Sequence, residues 1–221
     1  MAPPLTFGIG PLSARLFADT VSGHLCVKGK QALKNAPPVF DFDRSRLAPT
    51  YDVERLQREV SHAIGQFPPY VHYNVIPLTR SGETKAGVTD FSDPDWTTWI
   101  ETPLLGSCPY IKEILESLEC RTTNVRLLRL EPGGELREHT DPQLDLDFRN
   151  QIRLHVPVFT NKNVEFLLND TPVPLLEGQL WYLRLSDTHS VRNRGQAERV
   201  QLSIDVVVND WLEERIVEGE K

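Results

Sequence analysis

The sequence predicts a mainly β protein with flanking helices, arranged as a closed or double-sheet β architecture. From Asn124 to Val208, short apolar segments alternate with turns that contain glycine, proline and asparagine. The chain also contains 17 prolines in 221 residues, which leaves few stretches that could form long helices. Short strands with such regular interruptions are typical of β-barrels and β-sandwiches.

The length of 221 residues favours a single domain with one sizeable core. Within it, we expect residues 1–69 to form an N-terminal supporting segment that includes a helix, and residues 70–211 to form the β core. No internal repeat, low-complexity tract or domain boundary interrupts this arrangement.

Apolar residues at spacings of three and four predict the helices. One helix is expected over residues 53–66, where Thr50 or Asp52 can cap the first turn. A second is expected from a cap at Ser107 through about Leu118, packed against the outside of the barrel. Residues 210–217 form a short terminal helix in this prediction.

Strands are predicted where apolar residues alternate with polar ones or form short runs between turns. The predicted strands are Tyr70–Leu78, Val125–Leu130, the segment around His139, Ile152–Val156, Val164–Leu168, Val173–Leu176, Gln179–Leu185, His189–Val191 and Glu198–Val208. The polar, glycine-containing stretch from residue 82 to residue 95 predicts a mobile loop, which could act as a lid over a site.

Composition excludes several classes of partner. The net charge of −7 and the pI near 5.4 argue against a nucleic-acid partner and against an anionic membrane surface. No apolar run reaches membrane-spanning length, and the first residues lack the features of a secretory signal. Cys26, Cys108 and Cys120 are odd in number and widely spaced, which predicts reduced thiols and a cytoplasmic protein.

His139 and Asp141 are separated by one residue, so on a strand their side chains point to the same face. This pair alone is also compatible with a polar pair on the surface. A distant histidine such as His189 could complete a site of two imidazoles and one carboxylate. That ligand set leaves coordination positions open and is typical of non-haem Fe(II) oxygenases.

Cationic residues share strand faces with polar groups near this candidate site. Arg199 alternates with aliphatic residues at the start of the strand near residue 200, and Arg153 and His155 share one face of another strand. A guanidinium can form two parallel hydrogen bonds with a carboxylate. This surface therefore suits a small dicarboxylate such as 2-oxoglutarate, although Arg199 could instead form a salt bridge and His155 could be a core histidine.

From Tyr73 to Asp205 the sequence resembles the aspartyl/asparaginyl β-hydroxylase family, whose members are Fe(II)- and 2-oxoglutarate-dependent oxygenases. The resemblance rests on six motifs in the same order: Asn74–Leu78, Leu130–Gly134, His139–Asp141, Arg153–Pro157, Glu177–Trp181, and His189–Asn193 with Arg199. It implies a double-stranded β-helix, which is a cupin-like jelly roll. Some family members lack the metal-binding carboxylate, whereas this chain has Asp141.

The resemblance also implies the site. His139, Asp141 and His189 would bind Fe(II), and Arg199 would bind the distal carboxylate of 2-oxoglutarate. Arg153 and His155 would contact a carboxylate of the cosubstrate or of the substrate, and the sequence does not decide between them. The reaction would consume dioxygen and 2-oxoglutarate and hydroxylate an amino-acid side chain.

The sequence leaves the substrate open. An aspartate or asparagine residue in a peptide competes with a free amino acid such as proline. Arg80, which follows a predicted strand, could reach a substrate carboxylate. Two further alternatives are a non-catalytic cupin-like module that binds a metal or a small acid, and a metal enzyme of other cupin chemistry, which would not need Arg199. The oligomeric state is not predicted.

Overall fold

Two antiparallel β-sheets dominate the protein, which we describe from a computed structural model. The structure describes residues 40–66, 73–81, 99–144 and 150–221. These residues all lie in one compact unit that spans residues 36–221. Most of the predicted N-terminal supporting segment and the predicted lid at residues 82–95 lie outside the described residues.

The described residues include twelve strands. They are β1 (Arg44–Thr50), β2 (Tyr73–Pro77), β3 (Thr79–Ser81), β4 (Trp99–Glu101), β5 (Thr122–Leu130), β6 (Glu135–His139), β7 (Gln151–Phe159), β8 (Val164–Leu168), β9 (Thr171–Pro172), β10 (Gln179–Leu183), β11 (His189–Asn193) and β12 (Arg199–Val207).

The pairing of these strands gives the fold. One sheet has the order β1-β10-β7-β12-β5-β2, the other has the order β6-β11-β8-β9, and β3 pairs with β4 in a separate ribbon. The eight strands from β5 to β12 contribute four strands to each large sheet, and all the pairs are antiparallel. This is a double-stranded β-helix, or jelly roll, with β1 and β2 added at the edges of the larger sheet. The predicted fold class is confirmed.

Four α-helices are described: α1 (Val53–Ile64), α2 (Pro103–Gly106), α3 (Pro109–Glu116) and α4 (Asp210–Glu218). Asp52 caps α1, because its carboxylate accepts a hydrogen bond from the backbone N–H of Arg55 at 3.0 Å. No helix in the described part of the chain is long and apolar enough to cross a membrane.

The predicted cap at Ser107 is wrong. The Ser107 hydroxyl donates to the carbonyl of Leu104 at 2.7 Å, so this residue closes α2. Helix α3 begins two residues later at Pro109, where the absent N–H of proline has no energetic cost because the first amides of a helix have no partner within it. Instead, Glu59 from α1 accepts the N–H groups of Tyr110 and Ile111 at 2.7 and 3.1 Å.

The predicted strand at Val173–Leu176 is also wrong, since only Thr171–Pro172 pairs as a strand. Pro172 and Pro174 have no N–H to donate to a neighbouring strand. The Val173 N–H still bonds to the carbonyl of Phe166 at 2.9 Å, and the chain then leaves the sheet. The predicted turn at Glu177–Gly178 follows, with Gly178 at a φ of 76°.

The larger sheet has two different faces. Its outer face packs against α1, α3 and α4 in a core that includes Leu56, Ile114, Leu202, Ile204 and Leu212. Its inner face meets the smaller sheet in a second apolar cluster, which includes Leu130, Phe166, Trp181, Leu183 and Val191. Polar side chains from the inner faces of both sheets lie beside this second cluster, in the interior of the jelly roll.

Candidate functional site

Three residues bring metal-binding atoms together inside the jelly roll. His139 at the end of β6 pairs directly with His189 at the start of β11, and their ring centroids lie 4.2 Å apart. Asp141 follows β6 and is held by a backbone hydrogen bond of 2.8 Å from its N–H to the carbonyl of Leu185. One potential ligand atom from each of His139, Asp141 and His189 lies within 4.8 Å of the other two.

Both imidazoles are oriented in the same way. Nδ1 of His139 lies 2.7 Å from the carbonyl of Arg137, and Nδ1 of His189 lies 3.0 Å from the carbonyl of Asp187. A ring whose Nδ1–H donates to a carbonyl keeps the lone pair of Nε2 for a metal. Burial and the neighbouring His139 lower the pKa of His189, which favours the neutral ligand form. These residues therefore fit Fe(II).

The third ligand group is anchored by a buried arginine. Nη1 of Arg153 donates to Oδ2 of Asp141 at 2.9 Å. The other edge of the same guanidinium donates to Asp205, through Nε at 2.6 Å and Nη2 at 3.2 Å. Asp205 also accepts a hydrogen bond of 3.1 Å from Nη2 of Arg126. The Asp141 carboxylate is thus connected to β5, β7 and β12.

A cavity of about 300 Å³ opens beside these three residues. Its wall combines basic, imidazole and apolar side chains, which include Arg126, Arg153, His155, Arg199, Leu128 and Phe166. Charged groups in an otherwise apolar cavity are typical of a site that binds a small charged molecule.

Several buried polar atoms on β7 and β12 have no hydrogen-bond partner within the part of the chain that the structure describes. Neither ring nitrogen of His155 has a hydrogen-bond partner among the described residues, and the same holds for Oγ of Ser203 and Nε2 of Gln201. Burial and the nearby Arg153 and Arg199 hold the pKa of His155 well below its ordinary value, so this ring is neutral.

Ser203 lies opposite His155 in the pairing of β12 with β7. Two positions before it, the side-chain amide oxygen of Gln201 accepts a hydrogen bond from Arg199. Buried polar groups in native proteins are nearly always satisfied. A ligand with carboxylate oxygens would satisfy these donors, so the residues present fit 2-oxoglutarate.

The structure brings six of the residues predicted from the sequence into one cavity: His139, Asp141, Arg153, His155, His189 and Arg199. Among the described residues, the guanidinium of Arg153 contacts the carboxylates of Asp141 and Asp205. Arg80 is different, because it is exposed on the β3–β4 ribbon and is not among the described residues that line the cavity.

Sequence reasoning missed Arg126, which is 4 % exposed and lines the cavity. A signal for it exists in the sequence. Along β5, Val125 and Leu127 face the outer core, so the residue between them must face the interior of the jelly roll. A charged residue at such a position indicates a functional or ion-paired group.

Comparison with known proteins gives one family. A family model described as aspartyl/asparaginyl β-hydroxylase matches residues 93–208, which are 116 of the 221 residues. This segment contains all six of the predicted site residues that line the cavity. No curated protein matches the chain.

Solved structures with a similar arrangement include three oxygenases. A viral collagen prolyl hydroxylase from Paramecium bursaria Chlorella virus-1, in complex with 2-oxoglutarate, is 12 % identical, with a TM-score of 0.47 over 76 % of this chain and 98 % of that chain. A prolyl-4-hydroxylase from Pseudomonas putida is 11 % identical, with a TM-score of 0.48 over 76 % and 94 %. A 2-oxoglutarate-Fe(II) oxygenase family protein from Burkholderia pseudomallei is 14 % identical, with a TM-score of 0.47 over 72 % and 81 %.

Proposed function

The chain belongs to the aspartyl/asparaginyl β-hydroxylase family and is a 2-oxoglutarate-dependent hydroxylase, and on this basis we propose that it hydroxylates an aspartate or asparagine side chain in a peptide or protein. The observation that carries the proposal is the wall of the cavity, where guanidinium groups lie beside the three candidate metal ligands. Among the described residues, Arg126, Arg153 and Arg199 line the cavity together with His139, Asp141 and His189.

Guanidinium groups donate charge-assisted hydrogen bonds to carboxylates. A cavity lined by several of them therefore favours a substrate that brings a carboxylate over a neutral one. An aspartate side chain meets this requirement without using the chain termini of the substrate.

The metal would be held by Nε2 of His139, Nε2 of His189 and a carboxylate oxygen of Asp141. When bound together, Fe(II) and 2-oxoglutarate supply the activation of dioxygen that hydroxylates an unactivated C–H bond, with release of succinate and CO₂. The protein fixes the two rings through their Nδ1 hydrogen bonds and fixes Asp141 through Arg153. Three protein ligands leave open positions for the cosubstrate and for dioxygen.

The cosubstrate would be held by Arg199 and His155. Arg199 can form a forked pair with the distal carboxylate of 2-oxoglutarate. His155 is neutral and can donate one hydrogen bond, while Ser203 and Gln201 offer further donors on the same face. Leu128 and Phe166 cover the cavity wall with apolar surface, which keeps water from the reacting groups.

The test is succinate formation from 2-oxoglutarate with a panel of candidate substrates. The panel contains peptides with a central aspartate, asparagine, proline or alanine, and the free amino acids. We expect turnover to be stimulated most by the aspartate peptide, with a mass increase of one oxygen atom on that residue.

His189→Ala serves as the control, because it removes one of three metal ligands and should abolish turnover. If free proline alone stimulated turnover, the substrate would be a free amino acid and not a peptide. No succinate with any member of the panel, from protein that binds Fe(II), would contradict the proposed function.

A further inference from the structure

Hydrogen bonds link four buried or half-buried charged groups into a row that runs from the metal site to β5 and β12. Asp205 on β12 is 6 % exposed, and it lies between Arg126 and Arg153, which are 4 % and 8 % exposed. Arg153 in turn donates a hydrogen bond to Asp141. Taking charged groups out of water is costly unless they are paired and hydrogen-bonded, so this arrangement constrains the position of each member.

The guanidinium of Arg153 binds two different carboxylates through different nitrogen atoms. Asp205 takes the edge formed by Nε and Nη2, at 2.6 and 3.2 Å. Nη1 reaches Asp141 and bonds to one oxygen, Oδ2, at 2.9 Å. This bond leaves the second carboxylate oxygen of Asp141 for the metal site, where a potential ligand atom of Asp141 lies within 4.8 Å of those of both histidines.

We propose that Asp205 is a positioning residue for the metal ligand Asp141 and that it acts through Arg153. By holding the edge formed by Nε and Nη2, Asp205 fixes the orientation of the guanidinium, so that Nη1 points at one oxygen of Asp141. One oxygen of Asp141 is then held by Arg153 while the other is presented to the metal. This inference rests on the proposed function, because it assigns Asp141 to the metal.

The experiment measures the affinity for Co(II), followed by visible absorption, in protein without cosubstrate. Asp205→Asn keeps the size of the side chain and removes its charge. We expect Co(II) affinity to fall about 10-fold to 100-fold, which is typical when a group that orients a metal ligand is removed. Glu59→Gln is the matched control, because it makes the same chemical change at the start of α3, outside the jelly roll. Its Co(II) affinity should equal that of the parent.

The decisive measurement repeats Asp205→Asn in an Arg153→Gln background. If Asp205 acts through Arg153, the second substitution causes no further loss of Co(II) affinity. An equal loss in both backgrounds would overturn the role of Arg153, and an unchanged affinity in Asp205→Asn would overturn the role of Asp205. A parent protein whose Co(II) binding does not depend on His189 would instead contradict the proposed function.

A measurement on the unmodified protein covers the case in which Asp205→Asn does not fold. A crystal structure of the parent with Zn(II) and 2-oxoglutarate should show Arg153 still bonded to both Asp205 and Asp141, with Arg199 on the cosubstrate. An Arg153 side chain that leaves Asp205 and bonds to 2-oxoglutarate would show that it is a cosubstrate ligand and would reject the positioning role.

Discussion

Among single residues, Arg199 offers the most direct test of the cosubstrate site. It is buried at the first position of β12, it lines the cavity, and it bonds to Gln201 on the same face. A guanidinium there can bind a carboxylate through two hydrogen bonds to charged groups. Such bonds contribute on the order of 1.5–3 kcal/mol each.

We expect Arg199→Ala to weaken the binding of 2-oxoglutarate by roughly 10-fold to 100-fold or more. Arg199→Lys keeps the charge without the fork and should give an intermediate affinity. The measurement is a titration of 2-oxoglutarate into anaerobic Fe(II) protein, followed by the metal-to-ligand absorption band. Fe(II) binding should persist in both variants, and an unchanged affinity in Arg199→Ala would leave the cosubstrate assignment without support.

His155 gives a prediction about pH. Its pKa lies well below the ordinary value of 6.5 in the folded protein, because the ring is buried beside two arginines. The unfolded chain therefore binds one more proton than the folded protein at acid pH. The free energy of unfolding is retained above about pH 6.5 and decreases below it, by at most about 1.4 kcal/mol per pH unit for this residue.

His155→Gln should make that dependence shallower. The measurement is urea unfolding of the metal-free protein between about pH 5 and pH 8, compared with the parent. His189, whose pKa is also lowered, keeps its own contribution in both proteins. Identical slopes for the variant and the parent would show that His155 takes up a proton as readily in the folded state as in the unfolded one.

For single residues, the sequence indicates which side chains face the interior, but not what each one touches. Alternation places Arg153 and His155 on one face of β7, and both line the cavity. The contact of Arg153 with Asp205 spans 52 residues of sequence and depends on the register of β7 with β12. No local pattern carries that register, so the buried ion pairs become visible only in three dimensions.

Among the secondary-structure elements, the turn before β10 supports the junction between β1 and α1. Gly178 has a φ of 76°, its carbonyl accepts the N–H of Tyr51 at 2.8 Å, and its own N–H bonds to the carbonyl of Pro157 at 2.9 Å. A Cβ atom at Gly178 would lie 2.7 Å from the Tyr51 carbonyl oxygen and 2.8 Å from Cγ2 of Val53. The position thus excludes a side chain for two separate reasons.

Gly133 allows the effect of backbone conformation to be measured without a steric clash. It also has a φ of 76°, but a Cβ atom at this position would meet no heavy atom within 4 Å. We expect Gly133→Ala to lower the free energy of unfolding by about 1–2 kcal/mol, from backbone conformation alone. Gly178→Ala should lower it by about 1–3 kcal/mol more because of the clash. Chemical denaturation of both variants gives the comparison, and equal losses would show that the clash relaxes.

Local chemistry predicts most of these elements, and its failures have specific causes. The glycine and proline pattern predicts the turn at Gly178, and the apolar stripe with Asp52 predicts α1. The strand at Val173–Leu176 is not formed, because apolar character alone does not supply the N–H groups that a ladder needs. The cap of α3 differs because Ser107 is used to close the preceding short helix.

In the molecule as a whole, the two faces of the larger sheet have different roles, since one contributes to the stability of the fold and the other to binding. The outer face of β12 packs into the core beneath the helices, and its inner face lines the site. The class of this fold follows from the sequence, since short alternating strands need a closed or double sheet. The strand order does not, because β12 lies between β5 and β7 and joins segments that are far apart in the chain.

Two adjacent residues on β12 test this separation. Leu202 is fully buried in the outer core, whereas Oγ of Ser203 has no partner among the described residues on the inner face. We expect Leu202→Ala to lower the free energy of unfolding by about 2–5 kcal/mol, because it leaves a cavity among the helices. Its affinity for 2-oxoglutarate should stay that of the parent, since no atom in the site is removed.

Ser203→Ala should change the affinity for 2-oxoglutarate and leave the stability of the fold nearly unchanged. A hydroxyl without a protein partner contributes little to folding, so the free energy of unfolding should change by less than about 1 kcal/mol. The loss of one hydrogen bond to the cosubstrate should weaken 2-oxoglutarate binding by up to about tenfold. Urea unfolding and the anaerobic titration, applied to both variants, measure the two quantities. If each variant changed both quantities to the same degree, the two faces of the sheet would be coupled and the separation of roles would be wrong.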